Sequence, residues 1–202
     1  MTSATPSPGE GEANQVPDDE AWALVIDPAW QPESEDEEPP NEAVLGHWRI
    51  GTDGNVSTFQ GNPDYQPSRE GSPTDPVDAV LQLVVRGDYS DAALLEAMRD
   101  ARLGIAMDAD GNAVITPSPD DVPSVLVATS PTHARRVEVP AWREITAKAL
   151  ADSLPDEGVD VLLNPGAPTS MRVLASSIKD AMAETAGPDA DTAQPGPQPE
   201  QR

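Results

Sequence analysis

The chain has 202 residues, with no cysteine, 23 prolines, 3% aromatic residues and a formal net charge of -24 at pH 7. The lack of thiols excludes disulfides, thiolate nucleophiles and Cys-ligated zinc, and the acid excess opposes nucleic acid and anionic lipid, both of which select a basic footprint. So few aromatics and so many prolines leave material for one core, and one domain is expected.

Residues 1–42 carry 12 acidic side chains and no Lys or Arg; the first basic residue is Arg49. Such a segment buries too little apolar area to offset its backbone entropy, about 1–2 kcal/mol per residue. Residues 1–19 are therefore expected to be a disordered acidic tail, and the Pro- and Gln-rich residues 186–202 a second one. Residues 20–185 are expected to be the folded part, with residues 31–42 as an acidic linker inside it. The N-terminus has neither a basic nor an apolar leader region, and no window approaches the roughly 18 apolar residues of a membrane span. A cytoplasmic protein without membrane insertion is expected.

Within the folded part, Trp22 to Asp27 reads as a strand ended by Pro28. Short strands are predicted around Val44 to Ile50 and Val56 to Phe59, joined through Asp53-Gly54-Asn55, residues that tolerate the positive φ of a tight hairpin. Asn62 to Ser72 has no periodicity and reads as an ordered crossing. Asp75-Pro76-Val77-Asp78 opens a helix with a cap, a first-turn proline and a carboxylate near the positive end of the dipole. Val77, Val80, Leu81 and Val84 form its buried face, and Gly87 stops it.

Ser90 caps a second predicted helix, in which Leu94, Leu95, Met98 and Ala101 share a side. Strands are predicted near Leu103 to Met107 and Ala113 to Thr116, joined by residues 108–112, and again at Ser124 to Thr129. Pro140 is expected to open a helix with Trp142, Ile145, Ala149 and Leu150 at helical spacing, ending before Pro155. The run from Val159 to Leu163, apolar but for Asp160, predicts a strand covered on both faces. Asn164-Pro165-Gly166 is then expected to turn it into a final helix with Met171, Leu174, Ala175, Ile178 and Met182 inward.

No residue set announces a catalytic or cofactor function, and catalytic, cofactor and metal residues are all assigned as none. Asp108, Asp110 and Asn112 resemble the start of a calcium loop, but the required glycine falls on Ala113 and the closing glutamate on Pro119, so a hairpin turn is the better reading. His47 and His133 are the only histidines; without a nucleophile elbow, both are expected to be solvated or hydrogen-bonded. Asp75 with Asp78, and Asp120 with Asp121, read as cap and turn residues. Trp22, Trp30 and Trp48 either staple an N-terminal strand to the core or form an anchor surface for a partner, where tryptophan is enriched. Asn164, Gly166 and Ser170 mark a turn whose backbone N–H groups could face a small ligand, although Pro165 and Pro168 each remove a donor.

Three blocks carry a resemblance: Ser72-Pro-Thr-Asp-Pro-Val-Asp-Ala-Val-Leu-Gln-Leu-Val-Val-Arg-Gly87, Val122-Pro-Ser-Val-Leu-Val-Ala-Thr-Ser-Pro131 and Val159-Asp-Val-Leu-Leu-Asn-Pro-Gly166. Their order and wording resemble the type VII secretion system-associated proteins of actinobacteria. The last two are also similar to the SseB N-terminal domain, in which a strand runs into a Leu-Asn-Pro-Gly turn. The resemblance implies a single α+β domain, a mixed β-sheet packed by about four helices. It also implies a non-enzymatic accessory role exercised by binding a component or client of the secretion pathway. The alternative is an SseB-like regulatory domain that binds a small metabolite and affects amino-acid, specifically serine, tolerance. The chain does not resemble a secreted substrate of that system. Its tryptophans lack the Trp-x-Gly turn, and Tyr65 and Tyr89 are followed four positions on by Arg69 and Ala93 rather than by an acid.

Overall fold

The computed structural model describes residues 21–34, 36–51, 55–69 and 71–183; the two expected tails, and Asp53 and Gly54 of the expected hairpin, lie outside the described residues. The architecture is α+β. Its centre is a mixed sheet built from β4 (Arg102–Met107), β5 (Ile115–Pro117), β6 (Pro123–Ala128), β7 (Ala141–Thr146), β8 (Asp160–Leu163) and β9 (Met171–Val173). The order is β7-β4-β6-β8-β9, with β5 on the first half of β6. Here β6 and β8 run parallel, Ser124 opposite Asp160 and Val127 opposite Leu163, and the other pairings are antiparallel.

The apolar residues of β6 after Ser124 and of β8 after Asp160 are buried on both faces. Val125, Val127, Val161 and Leu163 enter the main core against α1 (Pro76–Val85), α2 (Asp91–Arg99), α4 (Ala147–Ser153) and α5 (Ala175–Ala183). Leu126 and Leu162, with Ala106 of β4, point the other way, beneath Val114, Val137, Val139 and Trp142. Four helices thus cover one face, and irregular chain covers the other.

The helix boundaries have local causes. Asp75 accepts hydrogen bonds from the N–H groups of Val77 and Asp78 at the start of α1. At its end, Gly87 takes φ +82° while its N–H bonds Val84 and that of Asp88 bonds Leu83, a pairing that closes the last turn. Ser90 occupies the cap position of α2 without a side-chain cap bond.

Four expectations need correction. The helix expected from Pro140 is strand for its first half: residues 141–146 pair with β4 over the whole register from Met107↔Ala141 to Arg102↔Thr146. Trp142 and Ile145, three residues apart, fit a helix face as sequence, but here they lie on opposite sides of a strand, in the small and the main core respectively. Only at Thr146, whose hydroxyl accepts from Ala149 N–H, does α4 begin.

The expected final helix starts later. Asn-Pro-Gly leads first into β9, which holds Met171, and α5 begins at Ala175, leaving Leu174 48% exposed. Residues 56–59 form no strand beyond the bridge Ile50↔Val56, because the short β3 (Gln60–Gly61) pairs instead with Gly46 and His47. The second strand of the expected 108–112 hairpin pairs with β6, touching β4 only through Met107↔Ala113. A one-turn helix, α3 (Pro131–Ala134), follows β6; Ser130 caps it, accepting from His133 N–H.

A second, three-stranded sheet has the order β1-β2-β3, where β1 is Ala21–Ile26 and β2 is Val44–Ile50. Asp27 ties the end of β1 to the 62–72 crossing. Its buried carboxylate accepts from Ala29 N–H at 2.8 Å, the Tyr65 hydroxyl at 2.9 Å and Ser68 N–H at 2.9 Å. Burial by itself raises this carboxyl, but the N–H groups of Ser68 and Ala29 and the Tyr65 hydroxyl together hold it below its usual value.

A depressed carboxyl adds stability that is present above the ordinary carboxylate value and lost as pH falls through the folded-state value. Asp27→Asn turns an amide N–H toward groups that are themselves donors. The expected cost near neutral pH is about 2–3 kcal/mol, shrinking as pH falls below the carboxylate range, measured as urea-unfolding free energy against pH. A cost that stays constant with pH contradicts the assigned ionisation.

Candidate functional site

Both parallel strands run from apolar residues straight into polar ones at their carboxyl ends, the place where open α/β sheets form crevices. There β6 continues into Thr129 and Ser130, β8 into Asn164, and α1 brings Thr74, Asp75 and Asp78; all seven of the polar groups at this junction, His133 included, are buried.

The cluster is knit by hydrogen bonds. Asn164, with φ +50° and no exposed surface, accepts from Thr129 N–H at 2.9 Å and donates from Nδ2 to Asp78 at 3.4 Å. Asp75 Oδ2 accepts from the hydroxyls of Thr129 at 2.6 Å and Thr74 at 2.9 Å, while its Oδ1 takes the cap bonds of α1. Asp78 Oδ2 accepts from Thr74 N–H at 3.0 Å and Gln82 Nε2 at 3.2 Å. The hydroxyls of Thr74 and Ser130 lie 2.8 Å apart.

Burial pushes the Asp75 carboxyl above its ordinary value; the Thr129 hydroxyl opposes the rise and the charge of Asp78 adds to it.

Beside this knot lies a cavity of about 320 Å³ lined by α1, the 67–72 crossing, the residues after α3 and the β8–β9 loop. His133 forms part of its wall. Contrary to the expectation of a solvated or hydrogen-bonded ring, its side chain is 5% exposed, and neither imidazole nitrogen has a hydrogen-bond partner. Nε2 does lie 3.3 Å from Asp78 Oδ2, close enough for charge attraction if the ring is protonated but not aligned as a hydrogen bond. No hydroxyl bonds the ring, so the pair lacks the nucleophile–base contact of covalent catalysis.

The expected ligand-turn residues surround this cavity rather than line it. Asn164 is committed to Thr129 and Asp78, and the Ser170 hydroxyl donates to Leu163 O at 2.9 Å. Gly166, at φ +74°, lets the loop lie against Arg136, where an added Cβ would sit 3.6 Å from the Arg136 carbonyl. Pro168 and Thr169 of the same loop reach the cavity wall. No helix begins at Asn-Pro-Gly, so the helix-end field expected to favour an anion there does not arise.

The three tryptophans separate. Trp22 is 45% exposed on β1 and packs edge-on against His47, their ring centres 4.7 Å apart. Trp48 is half-buried against Phe59 at 5.0 Å and lines a wide groove of about 1130 Å³ that reaches Trp142. Trp30 is half-buried in the turn after β1, its N–H bonded to Asp27 O.

Asp108 accepts from the N–H groups of Asp110 and Asn112, and so builds a turn. Asp120 pairs with Arg172, and Asp121 takes φ +61° in its turn. Among the described residues no group of three or more His, Cys, Asp or Glu is placed to hold a metal ion, and no helix is long and apolar enough to cross a membrane.

No protein-family model, curated protein or solved structure matches the chain.

The raised Asp75 carboxyl has a testable sign. A group protonated more readily when folded supports the fold most at pH below its ordinary value, and this support is lost as pH rises toward the folded-state value. Asp75→Asn keeps the two cap acceptor bonds and offers Nδ2 to the Thr129 and Thr74 hydroxyls without a charge. Its stability relative to the parent protein is expected to improve as pH rises above the ordinary carboxylate value of about 4, measured by urea unfolding. Parallel curves contradict the shift.

Proposed function

We propose that the protein is a non-enzymatic, cytoplasmic accessory of a type VII secretion system, that it acts by binding another protein of that pathway, and that β1 is the docking strand. One observation carries this reading. β1 is an edge strand whose alternate residues Trp22, Leu24 and Ile26 are 45%, 55% and 37% exposed, with no strand of the described residues on its free side. Edge strands without a partner are normally blunted by charge, proline or a covering element. An uncovered apolar one suits addition of a partner strand, with main-chain bonds giving affinity and alternate side chains giving register.

Charge narrows the partner. Residues 1–42 carry 12 acids and no Lys or Arg, so the complementary segment is an extended apolar strand with basic flanks. The pathway itself is supported by the three sequence blocks beginning at Ser72, Val122 and Val159. A second reading, an SseB-like domain that senses a small metabolite and affects serine tolerance, is favoured by the cavity beside Thr169.

Affinity purification of the full chain from an actinobacterial host is expected to recover secretion-system components, and Leu24→Lys to lose most of them while keeping the native circular dichroism. Recovery of unrelated metabolic enzymes alone, or an undiminished set with the folded Leu24→Lys variant, contradicts the proposal.

A further inference from the structure

The cavity beside the buried knot has a chemistry of its own. Two arginines, Arg69 and Arg136, line it, and neither has a carboxylate within ion-pair distance among the described residues. Arg143 of β7 lacks one as well; what sets Arg69 and Arg136 apart is that they line the same cavity in a chain of net charge -24. Arg86, Arg102 and Arg172 are each paired with an acid, and Arg135 is spent on the carbonyls of Pro63 and Tyr65. The Arg136 backbone is also held in place, since its N–H bonds His133 O.

The inner wall adds an independent sign. His133, nearly wholly buried, also lines the cavity; neither imidazole nitrogen has a hydrogen-bond partner, although Nε2 lies 3.3 Å from Asp78 Oδ2. A buried polar group without a partner costs free energy, and a bound ligand is one way in which it is compensated. Asp78 also reaches the wall, but its oxygens already accept from Thr74 N–H, Gln82 Nε2 and Asn164 Nδ2, which blunts its repulsion of an anion. The volume, about 320 Å³, is that of a small-metabolite pocket.

We propose that this cavity binds a small oxyanion, a carboxylate or phosphoryl group held by Arg69 and Arg136, with the body of the ligand against His133 and Thr169. A guanidinium pair is suited to such a group because its parallel N–H donors match two oxygens at once. The inference gives a ligand class to the metabolite-binding reading and rests on it alone; its failure leaves the docking of β1 untouched, and loss of the docking leaves it standing.

The test is a titration of the isotope-labelled full chain with succinate and, separately, inorganic phosphate, followed by the amide resonances of Arg69, Arg136 and Thr169 and the imidazole nitrogens of His133. Saturable shifts at these positions are expected with at least one anion, and whichever binds tells carboxylate from phosphoryl recognition. Arg136→Gln and Arg69→Gln, both at exposed positions, are each expected to weaken binding by about tenfold or more while keeping the native circular dichroism. Arg143→Gln, which removes an exposed arginine of β7 outside this cavity, is expected to leave it unchanged. Three outcomes overturn the proposal: no saturable shift with either anion, binding that survives both glutamine substitutions, or an equal loss with Arg143→Gln, which marks general surface attraction only.

Discussion

Asn164 ties β8, the end of β6 and α1 together. It ends β8 in a left-handed backbone conformation, accepts the N–H of Thr129 just beyond the parallel strand β6, and reaches Asp78 on α1. Three segments far apart in sequence thus meet at one amide. Asparagine suits the position because it adopts positive φ at low cost and supplies an acceptor and a donor from one short side chain. A hydrophobic residue would leave Thr129 N–H buried and unbonded, and an aspartate would set a third carboxylate beside Asp75 and Asp78.

That constraint explains why so polar a junction survives inside the protein. Buried polar groups stabilise a fold only when mutually satisfied, and Asp75 accepts four hydrogen bonds while Asp78 accepts three. The knot also fixes where function can sit. The loop after β8, which Asn164 begins and Gly166 turns at φ +74°, runs near Arg136, and a cavity opens between that loop, α1 and the 67–72 crossing. The exposed strand β1 belongs to the other sheet, anchored through Asp27 and Tyr65. The two candidate surfaces are therefore set by different contacts and can be tested apart.

Much of the scaffold was legible in the sequence because its signals are local. Asp75-Pro76 and Gly87 bracket α1 through capping and chain reversal, and the successive apolar residues of β6 and β8 announce strands buried on both faces. What was misread depends on pairing at a distance. Trp142 and Ile145 fit either period, and only the ladder with β4 decides for strand; Met171 joins a strand because β8 lies beside it. The candidate site was harder still. Asp75 and Asp78 look like ordinary helix-start acids, and nothing near His133 in sequence signals that the crossover from β6 carries it against α1. The Asn-Pro-Gly turn drew attention to the right loop, but its neighbours Pro168 and Thr169, not the turn itself, face the cavity.

The central claim is that the Asn164 bridge is part of the cooperative core and not a surface embellishment. Native-state hydrogen exchange of the Thr129 amide, which donates to Asn164 Oδ1 at 2.9 Å, tests it most directly. The account predicts that this N–H exchanges only through global unfolding, with the same free energy and denaturant dependence as the interior amides of β4 and β6. Exchange through a local opening that needs far less free energy than those strands would contradict it.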